Sequence, residues 1–171
     1  MLSISASRVL TLCFLALLLV APAENFGADK VRTPSDRAVI SALNDASKAL
    51  AARAGELKIK GVGVVAYAEG DSITAWTSKM VVVGSLAMEP KGDGKGANLL
   101  AIAYAKASEM ASTLKDSGSK VRAPFTGEVG WQGGVIARGR SGFLIAAFSG
   151  GPSADDVKAS QAAIEVLARR L

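Results

Sequence analysis

The chemistry open to this chain is bounded first by two scarcities: it has no histidine and a single cysteine, Cys13. Without an imidazole there is no Ser-His-Asp triad, no histidine-ligated zinc and no histidine-ligated haem iron. Tyr104 and Met110 are side chains able to ligate iron, and Lys106 stands between them. At helical spacing the same residues also read as ordinary packing. Glu109, Asp155 and Asp156 are the carboxylates available for acid–base work. Trp131 beside Gly133-Gly134 suits a pocket wall, because an aromatic face offers a stacking surface and glycine admits a ligand or another backbone closely; a core tryptophan near a turn is the plainer reading.

A second group lies in Glu89-Pro90-Lys91-Gly92-Asp93-Gly94-Lys95-Gly96, a glycine-rich charged loop leading into a helix. Backbone amides at a helix start bind anions. The phosphate-loop spacing fails, since Gly96 follows Gly94-Lys95 where Ser or Thr is required and no glycine stands five residues before Gly94. A solvated loop is the reading, with the lesser role that Lys91 and Lys95 close over a carboxylate ligand.

These residues have to be positioned by the elements around them. From about Ala97 to Lys115 an alanine-rich helix is expected, with Leu100, Ala103, Ala107, Met110, Ala111 and Leu114 on one stripe and Gly118 as terminator. Gly133–Arg138 and Phe143–Phe148 have hairpin spacing around Gly139-Arg140-Ser141-Gly142. The second run is apolar on both faces and so belongs mid-sheet. A helix follows, with Ser153 as N-cap and Asp156 three residues on, a capping box that explains both acids as helix-start charges. Val157, Ile164, Leu167 and Leu171 form its buried face. Glu109 has no perturbing partner that can be named from the sequence, so no catalytic residue is assigned.

Further upstream, Thr33-Pro34-Ser35-Asp36 predicts a helix start with Thr33 as N-cap, and Val39 to Leu57 supply its apolar face, ending near Gly55. Gly61–Ala68 reads as a strand, Glu69-Gly70-Asp71 as a tight turn and about Ser72 to Leu86 as a second strand bent at Gly84. A short turn makes the pair antiparallel, which excludes a Rossmann topology. Phe125-Thr126 and Val129 suggest a short edge strand.

Half of all residues are apolar and 5% aromatic, so the core is one of Ala, Val, Leu and Ile. Formal charge is +5, and no basic run is interleaved with aromatics, which argues against nucleic-acid binding. Residues 1–23 have the form of a signal peptide: Arg8, the apolar run Val9 to Val20, and Ala21-Pro22-Ala23 with cleavage expected after Ala23. The run falls short of the about 20 apolar residues of a membrane span, though an uncleaved anchor is the alternative. Residues 24–32 form a flexible connector and 33–171 a single domain. The mature chain, roughly 145 residues, is large enough for one real core, and is expected to be secreted or periplasmic.

Lys106-Ala107-Ser108-Glu109-Met110-Ala111, Gly133-Gly134-Val135-Ile136, Gly142–Gly151 and Asp155-Asp156 together resemble the GlcG/HbpS family of haem-binding or haem-degrading domains. The likeness runs over most of the chain from Thr33. It departs at Val135, where the family often has proline, and at Met88-Glu89-Pro90-Lys91, which replaces an acidic loop. The resemblance implies an α/β (α+β) fold, a profilin-like antiparallel five-stranded sheet flanked by helices, assembled into homo-oligomers. It further implies binding of haem or a similar tetrapyrrole or small anionic ligand, near Tyr104, Lys106, Met110, Trp131, Gly133 and Gly134, with lysine or loop amides on propionates and Tyr or Met on iron. A structural module forming a homo-oligomer without a cofactor is the alternative, and an enzyme ranks third.

Overall fold

Two strands with no polar face organise the fold. In the computed structural model, which describes residues 33–171, β1 (Gly61–Glu69) is buried except at its last residue and β6 (Gly142–Ser149) is buried except at Phe143. They pair antiparallel, from Val62 opposite Ser149 to Glu69 opposite Gly142. β2 (Thr77–Val83) pairs with the outer edge of β1, and β5 (Gly134–Arg138) with the outer edge of β6, giving the antiparallel order β2-β1-β6-β5. Strands buried on both faces must be covered on both. The hairpin between β5 and β6 closes with Gly139 N donating to Gly142 O at 2.8 Å.

Alternation along the strands divides the core in two. Val65, Tyr67, Leu144, Ala146 and Phe148 face α1 (Asp36–Glu56) and α3 (Ser153–Arg170), against Leu43, Leu50, Ala159, Ile164 and Leu167. Ala66, Ile145 and Ala147 face α2 (Leu99–Thr113), against Ala107 and Met110. The second face is smaller, and alanines let the α2 axis lie close to the sheet.

Among the described residues the main sheet has four strands, and the expected count of five is not confirmed. Phe125–Val129 is a turn instead, because Arg122 forks onto both oxygens of Glu128 at 2.7 Å and Glu128 Oε2 accepts from Phe125 N at 2.8 Å. A side-chain clamp satisfies groups that a strand ladder would otherwise pair. The remaining pairing is a separate two-residue ladder, β3 (Ala87–Met88) with β4 (Ala97–Asn98), which makes the glycine-rich loop the tip of a small hairpin. Asn98 then caps α2, its Oδ1 accepting from Ala101 N at 3.0 Å.

Other expected boundaries shift for local reasons. Ser35 caps α1 in place of Thr33, its hydroxyl accepting from Ala38 N at 3.3 Å. The second strand begins only at Thr77, since Ile73 and Trp76 turn in to pack beside the α2-side cluster. Leu114, in the left-handed region at φ 53°, ends α2 before Gly118 is reached. The expected leader and connector, with Cys13, lie outside the described residues; among those described, no helix is long and apolar enough to cross a membrane.

Candidate functional site

Four of the six residues singled out from the sequence meet at the C-terminal end of β6. Lys106 lies on the sheet-facing stripe of α2 between Ala103, Ala107 and Met110. A charge there has to find a partner. Its Nζ donates to Phe148 O at 2.7 Å and to Asp156 Oδ2 at 2.9 Å, and the two side chains are 3% and 4% exposed. Asp156 Oδ1 accepts from Gly151 N at 2.9 Å. The capping box is therefore not formed: α3 starts at Ser153 behind Pro152 with no side-chain cap, because Asp156 points inward.

Burial sets the electrostatics of the pair. Desolvation pulls the Lys106 ammonium below its ordinary range, offset by the facing carboxylate. It pushes the Asp156 carboxyl up, offset by Lys106 and by the amides of Gly151 and Gly150. Each ion stabilises the other, so removing either leaves a buried charge.

The double glycine is the socket for this pair. Gly133 sits at φ +133°, and a Cβ there would collide with Lys106 Nζ and come within 2.9 Å of Phe148 O and of Asp156 Cβ. Its carbonyl accepts from Ser160 Oγ at 2.7 Å and from Phe148 N at 3.0 Å. A Cβ on Gly134 would fall 2.6 Å from Met110 Cε. Close approach is thus what the glycines provide, and the groups that approach are protein side chains.

Tyr104 and Trp131 lie apart from that socket. Tyr104 is half-buried, its hydroxyl 3.4 Å from Ser78 Oγ on β2. Trp131 is 56% exposed and walls neither of the two clefts described below. Glu109 is buried, its Oε1 accepting from Gly118 N at 2.8 Å while Oε2 has no partner. As haem contacts, Lys106 and Met110 do not fit: the ammonium is already neutralised and the thioether is fully buried.

Two open clefts, each about 440 Å³, lie elsewhere. One runs between the start of α1 and the ends of β1 and β2, walled by Ile40, Tyr67, Trp76, Asp36 and Glu69. The other lies between the β3–β4 ladder and α2, walled by Leu86, Met88, Pro90, Gly96 and Leu100, with Glu89 and Asn98 as its polar groups. Leu86 is 50% and Met88 45% exposed, and Lys91 and Lys95 are exposed next in sequence to the lining residues Pro90 and Gly96. Its walls are mainly apolar, the exposed Met88 thioether is one of them, the hairpin beyond them carries Lys91, Asp93 and Lys95, and the N-terminus of α2 adds a positive dipole end. That donor set fits a flat apolar ring with carboxylate arms.

The groove was only half legible beforehand. Lys91 and Lys95 carry a signal in the sequence, whereas Met88, Leu86 and Leu100 become one wall only through the β3–β4 pairing. Asp156 as the partner of Lys106 was missed as well. A lysine on an apolar helix stripe signals that some buried acid exists, though not which one.

No protein-family model and no curated protein matches the chain. Among solved structures it is similar to one described as the crystal structure of a PduOC:heme complex, with a TM-score of 0.53 and 17% identity over 79% of this chain and 95% of that one. At that identity the likeness is one of fold.

Proposed function

We propose that this protein is an exported accessory protein that binds haem or a similar flat, anionic tetrapyrrole, seated in the groove between the β3–β4 ladder and α2. The observation that carries the reading is the shared fold, over 95% of its length, with a protein solved as a heme complex. The groove supports it chemically. Leu86, Pro90 and Leu100 supply apolar walls in a space of the size small-molecule sites have. Met88 supplies a thioether, a side chain able to ligate haem iron. Lys91 and Lys95 suit the propionates, and Glu89 disfavours them on its own side. Tyr104, one turn along α2 from Leu100, is the second ligand available. When bound, the group supplies redox-active iron; the chain holds it, orients it and screens one face from water. Export rests on the leader-type sequence of residues 1–23, and N-terminal sequencing of the mature protein checks cleavage after Ala23.

Hemin titration tests the proposal. A saturable Soret shift at micromolar hemin is expected, with affinity reduced about tenfold, or about 1.4 kcal/mol, in Met88→Leu and unchanged in Met110→Leu. Absence of a saturable shift, or loss confined to Met110→Leu, overturns it.

A second reading, self-assembly without a cofactor within a profilin-like fold, is favoured by one of the two sheet edges. The β5 edge is closed by Asp116 Oδ1 and Ser117 Oγ, which accept from Ile136 N and Gly134 N at 2.9 and 2.8 Å. Among the described residues β2 has one strand neighbour only, and Val82 on it is 41% exposed. Open edges pair with further strands. Light scattering that gives a defined oligomer with or without hemin, in a protein that shows no Soret shift, supports this reading over the first.

A further inference from the structure

The connection between α2 and β5 is long, irregular and held in place at many points. Arg122 and Glu128 clamp its middle. Ser119 N donates to Asp116 O at 3.2 Å, Gly118 N to Glu109, and Gly130 packs on Pro124, where an added Cβ would lie 2.5 Å from Cγ. A loop fixed this way normally turns its apolar residues inward. Here Leu114, Val121, Phe125 and Trp131 are 46%, 57%, 63% and 56% exposed, half of the large exposed hydrophobics among the described residues. Exposed apolar side chains concentrated in one ordered segment make that segment a candidate contact site.

Exposed charge on the same loop is positive on balance. Glu128 has its side chain 6% exposed and is neutralised by Arg122, which also lies over the Phe125 ring at 3.7 Å. Asp116 accepts from Ile136 N at the β5 edge and stays exposed, a single negative charge beside Lys115. Lys115 and Lys120 are exposed and have no carboxylate within salt-bridge distance among the described residues. The exposed side chains of this one loop are therefore two aromatic rings, two aliphatic groups and two unpaired cations, against the one carboxylate of Asp116.

We propose that this loop docks the protein on an anionic lipid surface, Trp131 and Phe125 entering the headgroup layer and Lys115 and Lys120 meeting the lipid charges. Tryptophan prefers that layer because its ring is apolar and its N–H is wet. Lysines beside it are attracted by anionic headgroups within a Debye length. A second copy of this chain fits less well. An isologous contact sets the same patch against itself, so Lys115 and Lys120 would face their own like charges.

The test uses the full chain carrying Trp76→Phe, so that Trp131 is its sole tryptophan, mixed with vesicles of phosphatidylglycerol or of phosphatidylcholine. With phosphatidylglycerol, Trp131 emission is expected to shift to the blue and to be quenched by brominated lipid; this readout is local to the loop whatever residues 1–23 do. Lys115→Glu/Lys120→Glu lowers the fraction of Trp131 quenched about tenfold, and rising salt does the same. Phe125→Ser likewise weakens the quenching, while Ile40→Ser, an exposed residue on α1, leaves it unchanged; far-ultraviolet circular dichroism of each variant checks that folding is intact. Trp131 emission indifferent to phosphatidylglycerol overturns the proposal. So does a blue shift that depends on protein concentration without vesicles, which assigns the surface to self-association.

Discussion

Two regions of this molecule hold the same kinds of side chain and put them to opposite use. At the β6 end, Lys106 and Met110 are sealed beneath α2: the ammonium is held by Asp156 and Phe148 O, and the thioether fills the space that Gly134 leaves open. Beside the β3–β4 ladder, Met88 is half exposed and Lys91 and Lys95 lie at the surface. The difference is one of partners. A lysine already neutralised in the interior has no charge to spend on a ligand, whereas an unpaired lysine at the surface keeps all of it. Interior residues here build the scaffold, and the groove is what the scaffold presents.

The largest effect that bears on this contrast is expected from Lys106→Met, which strands the Asp156 carboxylate and costs about 3–5 kcal/mol. Lys106→Met/Asp156→Leu should recover most of that, short of the Gly151 amide's lost bond at about 1 kcal/mol. Urea unfolding measures both. If the double variant also binds hemin as the parent does, the interior pair is structural; loss of hemin binding in a stably folded double variant would place the ligand at the core.

Next in size, Gly133→Ala meets backbone and a buried ion pair at a positive φ, and a loss of about 1–3 kcal/mol is expected by denaturation. An unchanged midpoint would mean that the socket is looser than its geometry implies. On the groove side, Lys91→Ala/Lys95→Ala should leave stability within about 0.5 kcal/mol. Hemin affinity should fall a few-fold at low salt, and the difference should fade as salt rises.

The smallest effect concerns the clamp in the loop before β5. The hydrogen bonds from Arg122, then the Phe125 amide, hold the Glu128 carboxyl down at about 2 against an ordinary 4.5. The same bond holds the Arg122 guanidinium above its usual range. Between those two values the unfolded chain binds the proton that the folded chain refuses. Anchoring is therefore complete above about pH 4.5 and fades as pH falls toward about 2. Protection of the Phe125 amide from hydrogen exchange, taken relative to the intrinsic rate at each pH, should fall in that window in the parent and be low throughout in Glu128→Gln.

Much of the architecture was legible because it follows from local rules. The doubly apolar run Phe143–Phe148 could only lie mid-sheet; α3 had to fold back over it to bury Ile164 and Leu167; the short Gly139–Gly142 reversal made β5 and β6 antiparallel. Reversal chemistry, helical period and strand alternation are all set within a few residues of the position concerned. The number of strands was not so determined. Whether Phe125–Val129 joined the sheet depended on Arg122 reaching Glu128, a competition between two ways of satisfying the same backbone groups.

Only the tertiary structure decided which lysines and methionines are available. Lys106 is bonded to Asp156 across 50 residues and Leu99 N to Leu86 O across 13, and neither contact has a local signal. By itself the sequence determined that helices and strands of this kind form and that no imidazole takes part in any site. Which charges are neutralised, and which side chains share a groove, follow from distances between segments that meet only when the sheet is assembled.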